Sequence, residues 1–396
     1  MRWLWICLLL CGLFFRPLPA RAETLAAPAD ASASGSAAGE VDKVLNMSGV
    51  QDYVNRLDGE INSAVPGLSF KDLLVKLAQR DVHWQPADVF HYVLVYLFKE
   101  VVANAALLGK LVILAMICVV LQNLTAAFDR GTTGQLTQTV TFLMLVTIAV
   151  GSFALAVNTG RDVVDKMVGF MQALLPVLLT LLVALGGVAS AAVFHPVLLG
   201  GLTLIGTLIK NIVLPLVFFA AVLGLVSNLS PRFKISNLAG LLKTAAMGLL
   251  GIFGTVFLGL LAVQGVAGAV GDGVVLRTAK FSLDAFVPVV GGMFSDALEA
   301  VISSALLIKN AAGLAGVVAI FAIMALPLIK LISLALIYKL AGALVQPVGD
   351  APVVDCLNDL GNSVITVFAV VATVGLLFFF AIAIVVAMGN LTVMLR

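Results

Sequence analysis

Charge is what this 396-residue sequence has least of. Asp, Glu, Lys and Arg make up 11% of it, hydrophobic residues 61%, and the mean hydropathy is +1.14, which excludes an ordinary soluble globule. A net formal charge of +2, with no basic run and no aromatic platform, gives nucleic acid nothing to bind. Cysteine is nearly missing too. Cys7 and Cys11 fall at the extreme N-terminus, leaving Cys118 in an apolar run and Cys356 in an expected loop, so neither a disulfide framework nor metal-ligand spacing is present. Histidine is equally scarce: His83, His91 and His195 are scattered and do not make a metal site. The sequence therefore predicts an all-α polytopic membrane protein without a cofactor.

What is present begins with a targeting signal. Arg2 supplies a positive start, Trp3 to Phe15 an apolar core too short to span a bilayer, and Ala20-Arg21-Ala22 an A-x-A site. Residues 1–22 are read as a signal peptide cleaved before Glu23, which puts the mature N-terminus outside the cytoplasm. Cys11 does not make a lipoprotein site, because Leu10 precedes it where a small residue is needed. Residues 23–40 form an Ala/Ser-rich tether with little to bury. Residues 41–88 read as a small extracytoplasmic helical region, with Val50, Val54, Leu57 and Ile61 at helical spacing and a break at Pro66-Gly67.

The polytopic domain, 89–396, contains the apolar runs. Val101–Leu124, Val140–Val157 and Met167–Val188 come first, followed by His195–Ile209 and Ile212–Leu229, which Lys210-Asn211 splits as in a short hairpin. Ala245–Val270 follows, then Ala311–Val345, expected to kink or turn at Pro327 and Lys330, and finally Ser363–Met388. The total is seven to ten transmembrane or re-entrant helices. Between Leu229 and Ala245, Arg232, Lys234 and Lys243 occur without an acid, so that loop is expected in the cytoplasm. Five crossings from an outside start lead to the same side.

One stretch departs from this apolar pattern. Val263 to Asn310 carries Asp272, Arg277, Lys280, Asp284, Asp296, Glu299 and Lys309, punctuated by glycines and by Pro288, Gly291 and Gly292. Charge at bilayer depth persists when it is paired, wet or displaced to an interface, and broken backbone persists only against protein or water. Arg277 with Lys280, and Asp296 with Glu299, are each three apart and share a helical face. Two readings stay open. In one, Asp272, Arg277, Lys280, Pro288, Gly291, Gly292, Asp296, Glu299, Lys309 and Asn310, with Lys330, form a polar centre or a partner contact. In the other, Asp272 to Asp284 is a solvated loop, and Asp296 and Glu299 lie on the wet face of an interfacial helix. No nucleophile, histidine or metal cluster accompanies the acids, so the expectation is not an enzyme. Gly265, Gly268, Gly271 and Gly273 meet neither the dinucleotide nor the Walker pattern. There is also a faint internal echo: Pro176 and Pro215, and again Pro288 and Pro327, are 39 residues apart, and between each pair Leu-Ile-Lys-Asn recurs, ending at Asn211 and at Asn310, at different offsets.

The order of LLGKLVILAMICVVLQNL at Leu107 to Leu124, then VQGVAGAVGDGVVLRTAKF, FVPVVGGMFSDALE, LLIKNAAGLAG and LPLIKLISLALIYKLAGALVQP, resembles the stage III sporulation protein AE family. The likeness runs from Leu107 to the C-terminus and is densest from Val263 to Pro347. It implies a multi-pass component of a channel or secretion-like complex between mother cell and forespore, required for endospore formation. Implied partners are other stage III sporulation A proteins and, through the complex, stage II sporulation protein Q. The implied location is the mother-cell membrane around the forespore. A self-sufficient secondary transporter, coupled to an ion through Asp296, Glu299 or Lys330, is the alternative that the residues leave open.

Overall fold

The computed structural model describes residues 86–128, 132–229, 235–286, 291–348 and 351–394, with 51, 54–56, 58 and 59 nearer the N-terminus. The signal peptide, the tether and most of the region before residue 86 lie outside the described residues. The described residues fall within one unit, Ala37–Arg396.

The expected all-α architecture is present. Helices α1 (Pro86–Ala103) and α2 (Ala105–Phe128) precede α3 (Thr132–Ala184), α4 (Val188–Leu208), a π-helical turn (Ile209–Val213), α5 (Leu214–Leu229), α6 (Ser236–Phe286), α7 (Gly291–Val345) and α8 (Ala351–Met394). Five helices or continuous helix pairs are long and apolar enough to cross a membrane: Phe142–Ala184, Val188–Ser227, Ser236–Val275, Ala300–Val345 and Pro352–Leu391. A sixth is made if Val93–Ala103 and Ala105–Leu121, bent by 54°, count as one. At that bend the Asn104 side chain donates to the Glu100 carbonyl at 2.8 Å. A lipid-embedded chain has to satisfy its backbone internally, and these sequences do so through helices alone among the described residues.

Several helices join what the sequence divided. Arg161 to Lys166, between the expected spans Val140–Val157 and Met167–Val188, is the middle of α3, because RDVVDK contains no glycine or proline to stop a helix. Lys210-Asn211 is not a hairpin: the chain passes from α4 to α5 through one wide π turn. Helix α7 continues past Pro327 and Lys330 without a turn, since one proline removes one hydrogen bond from a 55-residue helix. Residues 272–286 continue α6 and are not a loop. Cys356, also expected in a loop, is fully buried in α8.

The core is shared by the long helices, with α7 and α8 packed along their length and α3, α5 and α6 against them. Tyr338 of α7 is fully buried, and its hydroxyl donates to the Ala149 carbonyl at 2.9 Å beside Ser152 of α3. That bond satisfies a polar group which would otherwise be costly in the interior. Phe153 stacks on Phe218 at 5.9 Å, tying α3 to α5.

Candidate functional site

The site is built on the tight turn between α3 and α4. Gly186 takes φ 89°, a left-handed conformation open to glycine at little cost. Its N–H donates to the Val183 carbonyl at 2.9 Å and that of Gly187 to the Leu182 carbonyl at 3.0 Å, closing the end of α3 in a Schellman arrangement. The following helix then starts without a cap of its own, because Gly187 has no side chain to offer. Asp272 of α6 supplies the missing acceptor. Its two carboxylate oxygens receive the N–H groups of Ala189 and Ser190, each at 3.2 Å. The carboxylate also lies at the positive end of the α4 dipole. It is only 2% exposed, so a residue that read as a loop charge is an interior cap supplied from another helix.

Lys309 reaches the other side of this turn. It is 0% exposed, although it sits on a helix that is apolar for most of its length. Its Nζ donates to the Val386 carbonyl at 3.2 Å, where α8 nears its end. Gly389 makes room for the ammonium: a Cβ there would overlap Nζ and come within 3.0 Å of Leu185 in the turn. The same level of the bundle collects further polar atoms. Ser190 Oγ lies against Gly268 of α6, and Gly265, three residues earlier, faces Ile384 and Met388 of α8. Ser190 Oγ, Gln264 Oε1, Asn310 Oδ1 and Asn390 Oδ1 are all buried without a hydrogen-bond partner among the described residues. Four segments thus contribute to one polar layer that holds a carboxylate, an ammonium and, among the described residues, four oxygens without a hydrogen-bond partner. Each such atom costs about 1–3 kcal/mol when left unsatisfied, so the layer is suited to water, a small solute or a partner's polar group.

Of the sequence candidates, Asp272, Lys309 and Asn310 lie at the level of the α3–α4 turn. Arg277 lies beyond Asp272 on the exposed face of α6. Lys330 is half-buried on α7, 21 residues or about 30 Å along the helix from Lys309, and does not belong to the layer. Lys280, Gly291, Gly292, Asp296 and Glu299 have helical backbone, but their side chains lie outside the described residues, as Pro288 does entirely. Sequence reasoning missed Ser190, Gln264 and Asn390, which are lone polar residues inside apolar runs. It also missed a mid-bundle group, where Lys210 pairs with Asp165 at 2.5 Å beside Arg161, Asp162 and Asn211. The repeated Leu-Ile-Lys-Asn was its signal, since both copies end in polar clusters.

Comparison with known proteins defines the family. Residues 68–389 match the family Stage III sporulation protein AE. Stage III sporulation protein AE of Bacillus subtilis (strain 168) is 40% identical over 352 residues, covering 89% of this chain and 88% of that protein. The chain belongs to the stage III sporulation protein AE family. It is a sporulation-family membrane protein, and the polar layer apart from Asn390 lies inside the matched region. No solved structure matches it.

Proposed function

We propose that this family member is a non-catalytic integral component of the transenvelope channel or secretion-like complex of endospore formation. It works in the mother-cell membrane around the forespore, with other stage III sporulation A proteins and, through the complex, with stage II sporulation protein Q. The observation that carries this reading is the polar layer of Asp272 and Lys309, inside a helical bundle of a sporulation family. Buried charge of this kind is expensive in a membrane and marks sites that handle solute, ions or partners.

Topology adds to the argument. With the N-terminus outside after signal cleavage, the bent pair, α3 and the α4–α5 helix make three crossings. That count has the same parity as the five read from the runs. The basic segment from Arg232 to Lys243 then lies in the cytoplasm, and the α3–α4 turn with its polar layer lies on the extracytoplasmic side, toward the forespore. Affinity capture from sporulating cells tests the proposal, with co-recovery of other stage III sporulation A proteins expected and recovery of the chain alone counting against it.

The unfilled oxygens around Lys309 favour one second reading, a self-sufficient secondary transporter. Purified protein in liposomes separates the two, because a transporter moves solute without partners and a complex component does not.

A further inference from the structure

At mid-bundle, an apolar groove of about 680 Å³ runs between α4 and α6, lined by Leu199, Gly200, Leu204 and Phe253 and ending at Asn211. Asn211 also lines a polar pocket of about 410 Å³ with Arg161, Asp162, Asp165 and Lys210. The two cavities therefore adjoin at Asn211, one apolar and one charged. Lys210 and Asp165 neutralise each other. Arg161 and Asp162 are left, one cation and one anion, neither with a polar partner among the described residues, and the Arg161 Nε is buried.

The charged pocket borders an uncharged level of the bundle. On the groove's side of it, residues 167–184, 188–209, 248–271, 310–329 and 369–391 contain no Asp, Glu, Lys or Arg. These stretches lie alongside one another: Gly201 meets Phe257, Gly316 meets Leu174, and Gly375 meets Met324. At 1.5 Å per residue each is about 30 Å long, the thickness of a hydrocarbon core. The opposite side carries Lys243, Lys339, Asp355 and Asp359 within a similar length.

The geometry points to a bound phosphatidylethanolamine, its phosphate on Arg161, its ammonium on Asp162 and one acyl chain in the Leu199–Phe253 groove. A dipolar headgroup matches one free cation beside one free anion. An anionic headgroup would meet Asp162 uncompensated. The lipid is thereby distinguished from the bulk bilayer by its headgroup.

The test is native mass spectrometry of the full-length protein, delipidated in detergent and titrated with phosphatidylethanolamine or phosphatidylglycerol. Wild type is expected to retain one phosphatidylethanolamine in preference to phosphatidylglycerol. Arg161→Gln should weaken retention by about tenfold, the worth of one charge-assisted bond. Asp162→Asn should erase the headgroup preference. Gly200→Leu should remove the acyl chain from the groove, at a position where an added Cβ meets nothing within 4 Å. Equal retention of the two lipids by wild type would overturn the inference. So would unchanged retention by Gly200→Leu, or a change in its oligomeric mass, which would mean that the groove holds another chain.

Discussion

Asp272→Asn is the sharpest perturbation of the polar layer. In the native structure the Asp272 carboxylate receives two N–H groups, from Ala189 and Ser190, 83 and 82 residues away in the chain. Asparagine keeps the shape and one oxygen but turns an NH₂ toward the second N–H. One hydrogen bond is lost and a buried donor is stranded, a cost of about 1–3 kcal/mol. Removing the negative charge from the α4 N-terminus adds about 0.3–2 kcal/mol, toward the upper part of that range because the site is buried. The sum is about 2–4 kcal/mol, or a fall in melting temperature of about 2–5 °C for a chain of this size. The assay is thermal unfolding in detergent beside Asp355→Asn, an exposed carboxylate on α8 for which a change within about 0.5 kcal/mol is expected. If Asp272→Asn melts within about 1 °C of wild type, equivalent to no more than about 1 kcal/mol for a chain of this size, the capping argument is refuted.

Two further outcomes follow from the same geometry. Gly389→Ala should displace the Lys309 ammonium, destabilising the protein by about 1–3 kcal/mol, and Lys309→Ala should relieve that clash, so the two changes should be strongly non-additive in a melting cycle. Cysteines placed at Ser236 and Asn237, both exposed at the start of α6, should resist an impermeant thiol reagent in intact cells, and ready labelling would reverse the proposed orientation.

Composition and run length were enough to predict a helical membrane bundle, because long unbroken apolar runs satisfy their backbone in lipid as helices, whereas barrel strands are short and alternate. Helix continuity was harder to read. Arg161 to Lys166 and Lys210-Asn211 have the charge of loops, yet Asp165 and Lys210 compensate each other across two helices, and no local pattern reports a partner 45 residues away. The candidate site was legible where charge stood out, at Asp272 and Lys309. It was illegible at Ser190, Gln264 and Asn390, whose significance comes only from the packing that brings them to the α3–α4 turn. Lys330 met the same sequence criterion as Lys309 but lies about 30 Å farther along α7, because a helix separates residues in proportion to their spacing.

The central claim is that the buried layer serves the sporulation complex and not merely the stability of the bundle. Sporulation frequency of a strain carrying Lys309→Met, with membrane level of the protein measured in the same cells, tests it most directly. Methionine approximates the volume of the lysine stem and removes the ammonium alone. The expected result is loss of sporulation at near-normal protein level. Normal sporulation at that level would contradict the account.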